Sequence, residues 1–259
     1  MLFPNNPGWQ MTVLFLLALA LLGYVMKVVA LLLPAKCETD RRAISWVLVS
    51  PDSVLRAQRA TGVRPVVFRI LMLSGSTLVC YWIYWRLVLG FQIHGILLSY
   101  LATPFLLLVA ESLVAMVNLF LLPGGYLLPE LHCRPWAARS IADFWGNRWN
   151  LWFRDWFRYA VFSRLRRRPV FALFLVFAVS GLMHEWVINV PLYYLTGRML
   201  FGSMMIYFLL QAVGILVEHC CLKSRPRLMA VFVWLVVLVP VPLVINEGLL
   251  RTLQLWPEA

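Results

Sequence analysis

Apolar runs alternate with polar breaks along the whole chain, and the runs are long. Gln10–Leu33 is 24 residues interrupted only by Lys27, which as a helix would cover ~36 Å. Val66–Leu89 and Ile96–Leu122 follow, the latter holding Pro104, Glu111 and Asn118, and Pro123–Gly125 (PGG) ends it. Tyr126–Arg168 is a long polar segment, after which Val170–Tyr194, Leu200–Cys221 and Leu228–Leu250 are again apolar. The pattern predicts an all-α, polytopic transmembrane helical bundle of about six spans, seven or eight with re-entrant segments. Residues 1–259 form one membrane-embedded domain without internal repeats.

Composition supports that class. The chain is 62% hydrophobic and 13% charged, against about 45–50% and about 25% for a soluble domain. The net charge of +12 does not signal nucleic acid, because the basic residues lie between apolar spans. With the amino terminus outside, 18 of the 23 Lys and Arg fall in three inner loops and only Arg86, Arg198 and Arg251 outside. That bias puts the 126–168 loop on the cytoplasmic side. The first loop contributes Lys36, Arg41, Arg42, Arg56, Arg59 and Arg64; its apolar Ala43–Val49 would lie in the interface, and Tyr81, Trp82, Tyr84 and Trp85 would form an aromatic belt. The first run lacks a basic region and cleavage site and is read as an anchor. Five scattered cysteines, including Cys37, give neither a disulfide framework nor a metal set.

The candidate chemistry lies in two stretches, IADFWGNRWNLWFRDWFRYAVF (Ile141–Phe162) and SGLMHEW (Ser180–Trp186). Read as one helix, the first places Trp145, Trp149, Trp152 and Trp156 within about 80° on a membrane-facing side, with Asn147, Asn150, Arg154 and Arg158 opposite. The second puts His184 at the fifteenth residue of a 25-residue span, where an ionisable group marks a functional site. Ser180 lies one turn earlier, and Gly181 would admit a neighbouring helix. Glu185 would meet Arg198, Glu111 or Asn118. A neutral imidazole in a dry cavity suits a general base, and Asn150 could hold or polarise a substrate without titrating. No serine or cysteine sits in an activating motif, so direct transfer without an acyl-enzyme is expected.

RPWAARSIADFWGNRWNLWFRDWFRYAVF followed by SGLMHEW resembles the wax synthase domain of the membrane-bound O-acyltransferases (MBOAT), in which SLxDFWGxRWN precedes SGLMHE. The similarity covers Cys133–Trp186. It implies transfer of an acyl group from acyl-CoA, a co-substrate with no bound cofactor or metal, to the hydroxyl of a lipophilic alcohol in the bilayer. The family's essential histidine corresponds to His184 and its asparagine to Asn150. Asp143, Phe144, Trp145, Arg148 and Trp149 complete the motif and would shape the acyl-CoA entrance, with Arg154, Ser180 and Glu185 beside them. The chain departs from the family in having fewer spans, and in Asn147 where an arginine is common. No residue selects the acceptor, so a sterol, terpenoid, diacylglycerol or glycan stays open, as does a non-catalytic transporter or structural role. The residues do not define an oligomeric state.

Overall fold

The computed structural model describes residues 7–33, 42–60 and 62–257. Lys36, Cys37, Arg41 and the stretch before Pro7 lie outside them. Six helical segments among the described residues are long and apolar enough to cross a membrane. They begin with α1 (Pro7–Leu32), α2 (Val63–Phe91) and α3 (Ile96–Leu121). The polar segment contains α4 (Leu151–Phe157). Then come α5 (Pro169–His184), α6 (Val190–Thr196), α7 (Ser203–Val217), α8 (Pro226–Leu238) and α9 (Glu247–Thr252). Leu16, Leu17, Leu31, Leu71 and Leu78 are exposed, as expected where lipid replaces water as solvent. The architecture is an all-α membrane bundle, with one small antiparallel pair, Gln58–Arg59 on Tyr126–Leu127.

α2 packs along α3, and α5 along α7. The second contact needs Gly181, because a Cβ there would meet the Met205 Cα at 2.9 Å. α5 does not stop cleanly at His184. A π-helical turn, Glu185–Asn189, carries the same crossing into α6. Such turns widen a helix by one residue and are frequent at functional sites.

Several sequence expectations need correction. The last run, Leu228–Leu250, is not one helix: α8 ends at Leu238, Val241–Val244 forms a short turn of helix, and Asn246 caps α9. Pro240 and Pro242 remove the amide hydrogens that a continuous helix would use. Ile141–Phe162 is also interrupted. Ile141–Asp143 is α-helical, Phe144–Arg148 is π-helical, and the chain then turns at Asn150 before α4. Asn150 has φ 41°, a left-handed conformation that asparagine tolerates better than most residues. The single helical wheel drawn through this stretch therefore does not apply.

The tryptophans face protein. Trp145 donates to Gln211 Oε1 at 3.2 Å, Trp152 to Pro129 O at 3.0 Å and Trp156 to Met26 O at 2.9 Å. The aromatic belt is likewise split, since Tyr84 is buried and donates to Leu255 O at 2.7 Å. Of the first loop, Ile44 and Leu48 are buried while Trp46 is exposed.

The close α5–α7 approach gives a direct test. Gly181→Val should lower the unfolding midpoint in detergent, by a destabilisation of about 1–3 kcal/mol for overpacking. Gly75→Ala, where an added Cβ meets nothing within 4 Å, should leave the midpoint unchanged or raised. Equal midpoints for the two variants would show that the contact is not tight.

Candidate active site

Asn150 and His184, 34 residues apart in the sequence, line one cavity of about 480 Å³ together with Trp145, Trp149, Arg154 and Ser180. Apolar Phe153, Phe157, Phe177, Phe208 and Ile215 complete much of its wall. The π-helical turn 144–148 and α4 form one side, α5 and α7 the other.

Each polar group has a fixed orientation. His184 Nδ1 lies 2.7 Å from the Ser180 carbonyl oxygen. A carbonyl only accepts, so Nδ1 carries the hydrogen and Nε2 keeps its lone pair. The imidazole rests on Phe208, with ring centroids 4.5 Å apart. Ser180 thus acts through its backbone. Asn150 caps α4: its Oδ1 accepts from the Phe153 N–H at 3.3 Å. That bond identifies Nδ2 as the remaining donor, and it has no partner among the described residues.

Arg154 ties the two ends of the Asn150 turn. Its Nη1 donates to Gly146 O at 2.8 Å, and its Nε is 2.7 Å from Asp155 Oδ1. Asp155 is buried and also pairs with Arg56. Arg154, Arg158 and Phe162 border a second, outer chamber of about 1130 Å³, which Arg56, Arg164 and Arg166 also line. Arg158 and Arg166 form no ion pair among the described residues, and the acidic residues in the wall are Asp52 and Asp155. A chamber with several arginines in its wall therefore adjoins a more apolar one containing the histidine.

Four sequence-predicted residues lie outside the cavity wall. Phe144 is buried against Ile141, Val233 and Val237. Asp143 accepts from Arg148 Nε at 2.6 Å, and Arg148 also donates to Arg134 O at 3.2 Å. Burial alone would raise the Asp143 pKa, but bonds from Arg148, Asn147 and the Arg139 N–H hold it below the usual carboxylate range. Glu185 does not meet Arg198, Glu111 or Asn118. Its Oε1 accepts from the N–H groups of Gly202, Met204 and Met205 at 2.9, 2.9 and 3.2 Å, and Oε2 from Asn189 Nδ2 at 2.6 Å. The carboxylate caps the amino end of α7, where the helix dipole favours negative charge. Arg198 pairs with Glu247, Glu111 with Arg69 and His132, and Asn118 accepts from the Leu128 N–H. Phe208 and Gln211 were invisible in the motif reading, since an aromatic and an amide in an apolar span carry no local signal. Around His219, Cys220 and Cys221, no three His, Cys, Asp or Glu side chains converge as a metal set among the described residues.

These features define an integral membrane protein with a histidine–asparagine cavity at the junction of a polar loop and a span. Residues 128–210 match the model of the Membrane bound O-acyl transferase family. The probable long-chain-alcohol O-fatty-acyltransferase 3 of Arabidopsis thaliana is 34% identical over 142 residues, 47% of this chain and 40% of that protein. The long-chain-alcohol O-fatty-acyltransferase of Simmondsia chinensis is 33% identical over 135 residues, 48% of this chain and 36% of that protein. The match thus spans well under half the length of these relatives. No solved structure matches the chain.

Glu185→Ala would leave three helix-end amides without their acceptor and the Asn189 amide with only its longer bonds to Leu200 O and Ser203 Oγ. The expected cost is about 3 kcal/mol, the scale of a buried charged hydrogen-bond partner removed. Thermal unfolding should show it, with Glu185→Gln intermediate; an unshifted Glu185→Ala midpoint would refute the capping role.

Proposed function

We propose that the chain is an acyl-CoA:alcohol O-acyltransferase in which His184 is the general base. The observation that carries this reading is the bond from His184 Nδ1 to Ser180 O, which leaves Nε2 as the free nitrogen in a cavity shared with Asn150. The alcohol hydroxyl would give its proton to Nε2 while its oxygen attacks the thioester carbonyl carbon. The resulting oxyanion would accept a hydrogen bond from Asn150 Nδ2. As the tetrahedral intermediate collapses, the C–S bond breaks, the ester is released, and the coenzyme A thiolate takes the proton back from His184. Atoms and charge balance without an acyl-enzyme or a metal.

The two chambers fit such a donor. The cationic outer chamber suits the phosphates of coenzyme A, and the apolar inner one suits the thioester and acyl chain. Charge distribution along the loops favours the outer chamber opening to the cytoplasm, where acyl-CoA is soluble. The names of the relatives support a long-chain alcohol as acceptor and a fatty acyl donor, hence a wax ester product. The residues lining the inner cavity are compatible with other lipophilic alcohols.

Two outcomes follow. His184→Ala should lower turnover by at least about a thousandfold, within the range for a lost general base, while membrane insertion is retained. Asn150→Ala should lower kcat about a hundredfold, as for loss of one oxyanion donor. Both are read by following labelled acyl-CoA into ester with a panel of alcohols. Turnover retained in His184→Ala would sink the base assignment, and no ester from the wild type with any acceptor would sink the reaction. Separately, Arg158→Ala should raise the KM for acyl-CoA with kcat little changed. An unchanged KM at low salt removes Arg158 from donor binding.

A further inference from the structure

The turn that presents Asn150 is not self-supporting. Its left-handed backbone is unfavourable for a residue carrying a Cβ, and the π-helical residues before it end at Arg148. Two backbone bonds bracket it: Cys133 N–H donates to Arg148 O, and Leu151 N–H to Leu131 O, both at 2.8 Å. His132 sits between the two bracketing residues, and its ring centroid lies 4.5 Å from that of Trp149. Trp149, beside Asn150, lines the catalytic cavity; His132 lines none of the cavities described above.

His132 is itself held by a membrane-spanning carboxylate. Its Nδ1 is 2.9 Å from Glu111 Oε1, and Arg69 Nη2 is 2.9 Å from Glu111 Oε2. A carboxylate only accepts, so His132 Nδ1 donates and the ring plane is fixed. The His132 side chain is only 6% exposed. An acidic residue within an apolar span is costly and demands partners. Here α2 supplies the compensating cation, and α3 directs the carboxylate to one residue of the 128–134 segment. The arrangement runs from Arg69 through Glu111 and His132 to Trp149, and ends at the cavity wall opposite α5.

We infer that His132 is a positioning residue for acyl transfer: its ring, oriented by Glu111, sets Trp149 and with it the adjoining Asn150 amide. The inference rests on the proposed function for its effect on turnover, but not for its effect on the turn itself.

The test compares His132→Ala, His132→Phe and His132→Asn in the full chain, purified in detergent. Four quantities are measured: kcat, KM for acyl-CoA, the unfolding midpoint, and hydrogen exchange of peptides covering residues 144–153. His132→Ala should lower kcat on the order of a hundredfold, as small misplacements of a reacting group do, with KM and midpoint nearly held. Exchange in 144–153 should accelerate, and exchange elsewhere should not. His132→Phe keeps a ring against Trp149 and should recover much of the turnover. His132→Asn keeps a donor toward Glu111 but no ring, and should not. The inference is overturned if activity falls only in proportion to folded protein, or if Asn rescues and Phe does not. Should the wild type form no ester at all, the proposed function falls while the exchange comparison still decides: unaltered exchange at 144–153 in His132→Ala overturns the positioning role.

Discussion

Every interruption of a helix in a bilayer exposes backbone donors and acceptors that lipid cannot satisfy, and this constraint governs how the site is built. The chain breaks regular helix on both sides of the cavity, at Asn150 and after His184. Each break is answered by a specific group. Residues 131 and 133 take up the backbone of the Asn150 turn, and Asn150 caps the helix that follows. After His184 the backbone stays bonded through the π-helical turn Glu185–Asn189, and the Glu185 side chain answers the next break by capping the start of α7. Glu218, at the end of the α7 crossing, accepts from the Ile141 N–H where the motif segment begins. The catalytic candidates thus stand where backbone order changes and where neighbouring side chains restore it.

The scarcity of acids follows the same logic. The chain has 11 acidic residues against 23 basic ones, and apart from Asp52 in the chamber wall those near the site are committed. Asp155 is shared by Arg56 and Arg154, Asp143 is bound to Arg148, and Glu111 to Arg69 and His132. Asp155 and Glu111 lie inside protein, where an unpaired charge would be expensive. The surplus is therefore positive and collects where water reaches, at Arg158 and Arg166. An arginine-rich chamber is what remains after the buried carboxylates have taken their partners.

The span count and the meeting of Asn150 with His184 were legible in the sequence because both depend on strong signals. Spans follow from run length, and the pair from two motifs carried together. The interruption at Asn150 was not legible. The helical wheel through Ile141–Phe162 placed four tryptophans toward lipid, whereas Trp145, Trp152 and Trp156 each satisfy an indole N–H within the protein. Periodicity reports which positions are apolar, and a buried tryptophan and an interfacial one look alike to it. Glu185 shows the complementary failure. An acid in a span was correctly read as needing partners, but those partners are backbone amides, which no residue pattern encodes. Pro240 and Pro242 carried a readable signal for the broken last span, one that the surrounding apolar run outweighed.

On the proposed reaction, the order of the two chambers bears on why the candidate base and amide come from different elements. A thioester donor must leave its charged portion outside a dry cavity, because desolvating several phosphates would cost more than the binding returns. In that reading the reacting carbon would sit where polar loop meets span, within reach of both. Only a loop element can border the outer chamber and the cavity at once, and Arg154 and Arg158 do so. Only a span can place an imidazole among Phe177, Phe208 and Val176 away from water. A site split between a loop-borne Asn150 and a span-borne His184 meets both demands. It also explains why so much of the surrounding hydrogen bonding fixes the loop, since the span is held by the bundle.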